Sequence, residues 1–375
     1  MTGRIIVFGA TGFTGRLTAE ALTRAGAAPV LAGRSPERLV DLVGELAGLA
    51  PMDSPPTWQQ ADAADPDSVR ALVTSPADVL LTTVGPFAKF GGPALAAAID
   101  QGCGYVDSTG EPGFIREIFE KAGPRAVATG ARLLTACGYD YLPGNLAAAL
   151  ALRDCQQAGR SAMRVEVGYF VRGGMAMSSG TRASVAGMVG QRPFAFQDGR
   201  VRDYSGSVAT FDMAGRQWQA LPVGGSEHFT VPRMASSVRE VGVYLGWAGK
   251  WTRVAHSSAS VMGAVTRIPG VGKGMRALMH RTSPTATGEG PDAATRAKAT
   301  SIVIARTLDG VGRELSSATV RGPSPYDMTA ELLAWAAAML ATSQTTEVGA
   351  LGPVDAFGLE AVERGCADLG LLRVA

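Results

Sequence analysis

The sequence predicts an α/β protein, in which a doubly wound parallel sheet is followed by a second, α+β domain built on a mostly antiparallel sheet. Up to about residue 150, short apolar runs alternate with helical patterns, which indicates successive βαβ units. Beyond that point, segments such as residues 165–171 (VEVGYFV) alternate with a period of two. The first pattern predicts the parallel sheet, and the second predicts the antiparallel one.

The predicted elements of the first region follow one another with short connections. Strands are expected at residues 5–8, 29–32, 58–61, 78–84, 105–106 and 132–136, and helices after residue 15 and at residues 67–73, 93–101 and 114–122. In the second region, residues 163–233 are expected to form strands, residues 234–322 to mix helix with loop, and residues 328–340 and 356–369 to form helices. We assign residues 1–150 to the first domain, 151–322 to a substrate and dimerisation domain, and 323–375 to helices that return to the first domain.

A glycine-rich run, GATGFTG at residues 9–15, lies between the first strand and the first helix. Gly9 suits a tight turn, Gly12 lets the backbone approach a pyrophosphate, and Gly15 lets helix and strand pack closely. A strand before and a helix after are the context that this motif requires. We therefore predict a Rossmann-type dinucleotide site, although a glycine-rich turn in an unrelated α/β protein is the alternative. The predicted phosphate-binding residues are Gly9, Thr11, Gly12, Phe13, Thr14 and Gly15.

The end of the second strand indicates which dinucleotide is bound. An NAD site usually has an acidic residue there, but this chain has Arg34 followed by Ser35. Arg34 offers a planar cation, and Ser35 a hydroxyl, to a ribose 2′-phosphate. NADP(H) is therefore the expected cofactor, although Arg34 at a solvated strand end is the alternative. Asp62, at the end of the third strand, belongs to the same predicted site.

The loop after the fourth strand reads Val84-Gly85-Pro86-Phe87. Gly85 and Pro86 make a turn at the carboxyl edge of the sheet, where a bound ligand lies in doubly wound folds. We expect these four residues to line the nicotinamide half of the cofactor, with Phe87 shielding the ring. An ordinary turn between strand and helix is the alternative.

The loop after the fifth strand places hydroxyls and carboxylates at the same edge. It reads YVDSTGE from Tyr105 to Glu111, and we select Tyr105, Ser108 and Glu111 as candidate substrate contacts. Glu111 also precedes Pro112, which is a typical first residue of a helix. Substrate binding and capping of that helix therefore both remain open for Glu111.

The loop after the sixth strand reads CGYDYLPGN from residue 137 to residue 145. Tyr139, Asp140 and Tyr141 are the candidate catalytic residues, because a phenol near a nicotinamide can donate a proton to a developing enolate. Asp140 either orients a phenol or caps the following helix. Cys137 is interpreted as a small buried residue rather than a nucleophile, since no His lies near it in sequence.

Composition excludes several classes of protein. The net charge of +2 gives no bulk signal for nucleic-acid binding. The 4 Cys and 3 His are scattered without CxxC or metal-ligand spacing, so we expect no metal and a reducing compartment. No uninterrupted apolar run approaches a membrane span, and the first strand begins too early for a signal peptide. We therefore expect a cytoplasmic protein.

Taken in order, the motifs resemble a known family. GATGFTG, LAGR, VGPF, YVDSTGE, CGYDYLPGNLA and SGTRAS (residues 179–184) are similar to those of saccharopine-dehydrogenase-like oxidoreductases, and most similar to those of actinobacterial trans-acting enoyl reductases. The resemblance covers both ends of the chain and is diffuse between residues 185 and 320. It implies a Rossmann domain, NADP(H) and a homodimer. Tyr141 and Leu142 follow Asp140, where saccharopine enzymes have Pro and Gly, which weakens an amino-acid-forming role.

Three functions remain open. The first is NADPH-dependent reduction of an activated C=C bond, such as enoyl reduction of an acyl or polyketide intermediate in trans. The second is C=N or C=O reduction of a small metabolite, for which Arg172, Arg182 and Arg192 are candidate carboxylate ligands. The third is a non-catalytic NADP(H) sensor. The Tyr-Lys mechanism of short-chain dehydrogenases is excluded, because no Tyr has a Lys four places later.

The segment 247–281 is basic and contains no acidic residue. An acidic acyl carrier protein would be attracted to such a surface. Anionic lipid or plain solvent are the alternatives for this segment. The expected substrate is therefore a small molecule or an acyl chain bound to a carrier protein. The basic residues of the segment are Lys250, Arg253, Arg267, Lys273, Arg276 and Arg281.

Overall fold

The structure, a computed structural model, describes residues 3–49, 54–173, 177–188, 193–204, 206–213, 215–246, 289–342 and 346–374. Its first sheet is parallel, with the strand order β15-β6-β5-β4-β1-β2-β3. Apolar runs that are buried on both faces form its centre, as parallel sheets require. The strands are β1 (Ile5–Phe8), β2 (Val30–Gly33), β3 (Thr57–Gln60), β4 (Val79–Thr82), β5 (Gly104–Asp107), β6 (Arg132–Leu134) and β15 (Gly349–Ala350).

Helices connect these strands. They are α1 (Phe13–Arg24), α2 (Pro36–Ala47), α3 (Pro66–Arg70), α4 (Phe87–Gln101), α5 (Pro112–Glu117), a π-helical turn (Ile118–Ala122) and α6 (Gly123–Thr129). The prediction that α4 begins at residue 93 was wrong, because the helix begins at Phe87 and contains Pro93 in its interior. The run Gly91-Gly92-Pro93 is typical of a turn. The helix starts earlier because Glu111, in the loop after β5, accepts hydrogen bonds from the amides of Phe87 and Ala88.

The second sheet is mostly antiparallel and has the strand order β10-β11-β12-β7-β13-β14-β16, with β8 and β9 attached beside β12. Only the pairing of β12 with β7 is parallel among the pairs of this sheet in the described residues. The two sheets confirm the predicted fold class. The strands are β7 (Arg164–Arg172), β8 (Phe194–Gln197), β9 (Arg200–Asp203), β10 (Ala209–Met213), β11 (Arg216–Pro222), β12 (Glu240–Leu245), β13 (Thr300–Leu308), β14 (Glu314–Gly322) and β16 (Leu372–Val374).

The prediction of mixed helix and loop for residues 234–322 was wrong in the parts that the structure describes. β12, β13 and β14 lie there, and β13 pairs with β7 along its whole length. Residues 301–305 of β13 are buried without interruption, so the strand reads as a continuous apolar run. Such a run lacks the alternation that separates a strand from a buried helix.

The remaining helices join the two sheets. α7 (Leu142–Gln157) packs against β13 and β14, and α11 (Pro325–Thr342) packs against α1 and β5. One cluster of buried apolar side chains therefore includes residues of both sheets. None of the described helices is both long and apolar enough to cross a bilayer. The others are α8 (Ser179–Met188), α9 (Glu227–Met234), α10 (Ala293–Ala297), α12 (Pro353–Phe357) and α13 (Leu359–Asp368).

Candidate functional site

The glycine-rich loop has the geometry that a dinucleotide cradle requires. Gly9 has a φ of 92°, which a side chain would strain. A Cβ added at Gly15 would lie 2.2 Å from the Gly9 carbonyl oxygen, so α1 packs on the turn only because Gly15 has no side chain. Gly12 caps α1, and the first turn of the helix has no side-chain cap and no acidic residue. The helix start is therefore open to an anion.

The cover over this loop was missed by the sequence reasoning. The Phe13 ring meets the Tyr326 ring edge to face at 5.2 Å between centroids, and the Arg296 guanidinium lies 5.7 Å from the Phe13 centroid. The Ser178 amide donates to the Tyr326 hydroxyl (2.7 Å). The start of α8 and the start of α11 thus lie beside the loop. The Phe13 side chain is engaged by these contacts, so its backbone is the part left for a phosphate.

The end of β2 carries the predicted adenosine contacts. Arg34 is exposed, and its guanidinium makes no hydrogen bond or ion pair with another described residue. The Ser35 hydroxyl caps α2 by accepting from the Arg38 amide (3.4 Å) and donates to Glu37 (2.8 Å). Arg38 donates to the Thr11 carbonyl oxygen (2.8 Å), so it ties α2 to the glycine-rich loop. Asp62 follows β3 at the same edge and is half-buried.

The loop after β4 follows the prediction in part. Val84, Gly85 and Pro86 are partly exposed at the carboxyl edge, and Val84 packs against Gly9. The expectation that Phe87 shields a nicotinamide ring is corrected. Phe87 is buried in the first turn of α4 and packs against Phe114 at 5.7 Å between ring centroids. Its ring therefore belongs to the helix packing of α4 on α5.

Glu111 neither caps its own helix nor remains free for a substrate. Its fully buried carboxylate accepts from the amides of Phe87 (2.8 Å) and Ala88 (2.9 Å), so it caps α4 instead of α5. The Ser184 hydroxyl of α8 donates to the same carboxylate (2.8 Å). Glu111 thus fixes the start of α4 and joins it to α8. Its assignment as a substrate contact was wrong because its oxygens are already bonded.

Replacing Glu111 by Ala is expected to lower the free energy of unfolding by about 3 kcal/mol, since two buried amides would lose a charged acceptor. Urea unfolding measures this loss. Glu120→Ala is the matched control, because Glu120 forms an exposed pair with Arg116 and its loss should cost less than about 0.5 kcal/mol. Equal effects of the two substitutions would contradict the assignment.

The other candidates after β5 have separate positions. Tyr105 is fully buried in the core, so its selection as a substrate contact is corrected: β5 points it into the sheet packing. Asp107 is also buried and accepts from the amides of Thr109 (2.9 Å) and Ala136 (2.8 Å), which ties the loops after β5 and β6 together. Ser108 is half-buried at the edge and stays a candidate.

Tyr139 does not face the cofactor edge. Its hydroxyl donates to the Phe170 carbonyl oxygen (2.9 Å) of β7, and its ring meets Tyr169 edge to face at 5.7 Å. Its amide donates to Thr329 (3.0 Å). Tyr139 therefore anchors the loop to the second sheet, and its assignment as a proton donor was wrong because its hydroxyl is buried and bonded.

Asp140 is the candidate acid at this edge. The residue is half-buried, but its Oδ1 is buried and has no hydrogen-bond partner among the described residues. Its Oδ2 lies 3.8 Å from the position that a Cβ would take at Gly110, in the loop after β5. Burial raises the pKa of Asp140 to about 7. Asp140 can therefore hold a proton near neutral pH, which suits a general acid.

Tyr141 lies behind Asp140 and is buried. Its ring meets Tyr169 edge to face at 5.9 Å, and burial raises the pKa of its phenol well above the usual value. Its carbonyl oxygen accepts from the side-chain amide of Asn145 (3.0 Å) and lies near the Tyr169 hydroxyl (3.1 Å). Tyr141 is thus a poorer acid than Asp140, and its backbone is the part held by its neighbours.

A buried carboxyl from helix α9 also reaches this loop, and the sequence analysis did not select it. Glu227, the first residue of α9, contacts the Tyr169 hydroxyl, and Ser226 accepts from the side-chain amide of Asn145 (3.1 Å). A signal existed in the sequence, because Gly224 and Gly225 precede an acid within an apolar context.

The other predicted contacts do not converge. Arg172 lies over the Trp218 ring (5.7 Å to the centroid), and Arg182 donates to the Met177 carbonyl oxygen (2.6 Å). Arg192 and the basic segment 247–281 lie outside the described residues. Within the described part, no set of cations for an amino-acid carboxylate is assembled.

The fold and the edge together define a Rossmann-type parallel sheet joined to a mostly antiparallel second sheet, with polar groups of both at the carboxyl ends of the parallel strands. Over 100% of both chains, this fold matches apo saccharopine dehydrogenase (L-Glu forming) from Saccharomyces cerevisiae, with a TM-score of 0.57. The sequence identity is 12%, so the likeness concerns the fold.

In sequence, the chain is similar to two proteins named trans-acting enoyl reductase. It is 44% identical over 144 residues to the one from Mycobacterium leprae and 42% identical over 144 residues to one from Mycobacterium tuberculosis. Each match covers 38% of this chain and 34% of the relative, so the chain matches about a third of the length of these curated relatives. No protein-family model matches the chain. The resemblance predicted from the ordered motifs is confirmed.

Proposed function

We propose that this chain is an NADPH-dependent reductase of an activated C=C bond, acting in trans on an enoyl group of an acyl or polyketide intermediate. The observation that carries the proposal is one juxtaposition. The half-buried carboxyl of Asp140 lies at the same sheet edge as the glycine cradle and the Val84–Pro86 loop. The names of the sequence relatives support the choice of a C=C bond.

The residues present fit a dinucleotide phosphate. The uncapped start of α1 and the glycines at 9, 12 and 15 leave room for a pyrophosphate, and the exposed Arg34 has no competing partner among the described residues. The adenosine would lie over the ends of β2 and β3, against Arg34, Ser35 and Asp62. The nicotinamide half would lie against Val84–Pro86.

NADPH, when bound, supplies a hydride to the β-carbon of the enoyl group. The chain supplies the proton, which Asp140 donates to the α-carbon. The C=C bond thereby becomes a C–C single bond, one new C–H bond forms at each carbon, and Asp140 is left ionised. Glu111 holds the Val84–Pro86 loop at the start of α4, and Ser184 holds α8 against the same carboxylate. Solvent then returns the proton to Asp140.

Reduction of an amino-acid imine is the competing function, and the described cations disfavour it. Arg172 and Arg182 are each engaged elsewhere, so no pair is assembled for a substrate carboxylate. The test is NADPH consumption against an enoyl thioester and against a keto acid plus an amine. Consumption with the thioester alone supports the proposal, consumption with the imine mixture alone overturns it, and tight NADPH binding with no turnover on either would favour a sensor.

Cofactor choice is testable at Arg34. Arg34→Ala is expected to raise the dissociation constant of NADPH about 10- to 100-fold, because a charged hydrogen bond to the 2′-phosphate is lost. NADH lacks this phosphate, so its binding should change little. Fluorescence titration measures both constants. Arg24→Ala, at the far end of α1 and paired with Glu20, is the control; equal loss of NADH and NADPH binding would refute the assignment.

Carrier docking at residues 247–281 and a homodimer remain parts of the proposal. Replacing three basic residues of that segment by Glu should weaken turnover of a carrier-bound substrate and spare a small thioester. Equal loss on both substrates would remove the carrier from the proposal.

A further inference from the structure

A second buried carboxyl lies behind the Asp140 loop. Glu227 is fully buried, and its Oε1 is in hydrogen-bond contact with the hydroxyl of Tyr169 on β7. The same hydroxyl lies 3.1 Å from the Tyr141 carbonyl oxygen. These contacts link α9 and β7 to the peptide unit between Tyr141 and Leu142, which lies one residue beyond Asp140.

The hydrogen of the Tyr169 hydroxyl cannot serve both of its oxygen contacts at once. The Tyr169 hydroxyl has one hydrogen but two oxygen neighbours, Glu227 Oε1 and the Tyr141 carbonyl. The carbonyl can only accept, so both contacts are hydrogen bonds only when the Glu227 carboxyl carries a proton and donates it to Tyr169. An ionised Glu227 would accept the one hydrogen bond that the Tyr169 hydroxyl can donate, and the Tyr169 and Tyr141 oxygens would then face each other without a hydrogen between them.

The surroundings of Glu227 also favour its neutral form. Its Oε2 is buried without a hydrogen-bond partner, and no ion pair of the described residues involves it. A buried, unpaired carboxylate is costly. Burial, with a smaller contribution from the charge of Asp140, raises the pKa of Glu227 to about 8.

Two glycines make room for the contact. A Cβ at Gly144 would lie 1.9 Å from the Tyr169 hydroxyl and 2.4 Å from Glu227 Oε1. A Cβ at Gly225 would lie 2.6 Å from Glu227 Oε2 and 2.7 Å from the Tyr141 ring. Backbone from α7 and from the start of α9 therefore encloses the carboxyl closely.

Few other titratable groups face Glu227. On its own helix, burial lowers the pKa of His228 to about 4, so that imidazole is neutral, and Arg233 pairs with Asp355. From the loop and β7 come Asp140, Tyr141 and Tyr169. The neighbouring strand β8 has no titratable residue.

The other charged groups of the elements packed on α9 are engaged elsewhere. On β12, Glu240 pairs with Arg164, and Tyr244 packs against Phe211. On α7, Arg153 pairs with Glu363 and Asp154 with Arg373. Asp140 is therefore the group whose ionisation Glu227 senses.

We propose that Glu227 is a positioning residue that holds a proton in the native protein and donates it to Tyr169, so that the chain Glu227–Tyr169–Tyr141 carbonyl fixes the Asp140 carboxyl at the sheet edge. Its effect on turnover rests on the proposed reductase function. The protonation of Glu227 does not rest on that function, because it follows from the contacts within the folded chain.

The first test detects the proton on Glu227 through protein stability and needs no measurement of turnover. Between about pH 5 and pH 8, this carboxyl is protonated in the folded protein and ionised in the unfolded protein. Rising pH therefore favours the unfolded state, and the unfolding constant increases tenfold per pH unit. Glu227→Gln keeps a neutral donor and removes this contribution. In urea unfolding between about pH 5 and pH 8, the unfolding constant of Glu227→Gln should rise with pH by a factor of ten less per pH unit than that of the wild type. An identical pH dependence of the two proteins overturns the proposal.

A direct spectrum covers the case of a poorly folded variant. In Asp140→Asn, an infrared band of a protonated carboxyl should persist at pH 7 and disappear at alkaline pH. The pKa of Glu227 should be lower in this variant than in the wild type, because the charge of Asp140 that helps to raise it is gone. Absence of such a band at pH 7 overturns the proposal.

Turnover then tests the positioning role. Glu227→Ala should lower turnover across the pH range, and Glu227→Gln should retain a larger part of the wild-type turnover. In the wild type, two groups titrate in the alkaline limb of the pH profile, and in Glu227→Gln one of these two ionisations should be missing. Equal losses in Ala and Gln with an unchanged limb would refute positioning. A folded protein that holds the proton but reduces no enoyl thioester would refute the reductase function alone.

Discussion

Asp140→Asn is expected to lower turnover of an enoyl thioester by about 10²- to 10⁴-fold, the contribution usual for a general acid. Asn has the size of Asp and cannot supply a proton. Its packing should be conserved, because Asp140 Oδ1 has no hydrogen-bond partner to lose. The comparison of kcat at saturating NADPH measures the effect. NADPH affinity should change little, since the cradle lies in other loops.

The pH profile gives this prediction a second readout. Asp140 must be protonated to donate, so turnover should fall as pH rises through about 7, the raised pKa of this carboxyl. The residual activity of Asp140→Asn should lack the ionisation near pH 7. Turnover within about threefold of wild type would remove Asp140 from the acid role, since one hydrogen bond already exceeds that effect.

Tyr139→Phe is the matched control in the same loop. It removes the hydroxyl that donates to the Phe170 carbonyl, which should cost about 1 kcal/mol of stability. Its loss of turnover should be far smaller than that of Asp140→Asn. A loss as large as that of Asp140→Asn would restore the phenol as the proton donor.

The parts of the site that the sequence predicts well are local. The glycine-rich loop is specified within one βαβ unit, where a strand, a turn with positive φ and a close helix contact involve neighbouring residues. The geometry of Gly9 and Gly15 follows directly from these requirements. The same holds for the partly exposed Val84–Pro86 turn, whose position follows from the end of β4.

The parts that failed depend on contacts between distant segments. For Glu111, substrate binding and capping of its own helix were both open, but its carboxylate caps α4 and also bonds Ser184 of α8. Tyr139 was chosen as an acid, but the Phe170 carbonyl of β7 accepts the hydrogen bond of its hydroxyl. Glu227 was overlooked because only the packing of α9 on α7 brings it to Tyr169. Sequence spacing contains no information about such partners.

The errors in the second domain have a related physical cause. β13 lies in the middle of its sheet and contains the continuous apolar run of residues 302–305, so its sequence lacks the alternation shown by β7 at Val165 and Val167. A continuous apolar run fits a buried helix equally well. The order of strands in that sheet then depends on pairings between β7, β12 and β13 that no local pattern encodes.

Gly15→Ala is expected to have the second large effect, through both stability and cofactor binding. The added Cβ would lie 2.2 Å from the Gly9 carbonyl oxygen and 2.8 Å from Thr83 Oγ1. Backbone must therefore move, at a cost of about 3 kcal/mol of unfolding free energy. The same shift displaces the start of α1 from the glycine-rich turn, so NADPH should bind more weakly, and a misplacement of this kind should lower turnover by about 10²-fold.

Gly44→Ala separates this clash from the general effect of a larger residue in a helix. Gly44 lies within α2, where an added Cβ would meet nothing within 4 Å, so Ala should stabilise the protein by about 0.5–1 kcal/mol. Urea unfolding and NADPH titration of both variants measure the contrast. If Gly15→Ala binds NADPH as wild type does, the cofactor does not use the start of α1, and the cradle must lie elsewhere on the sheet edge.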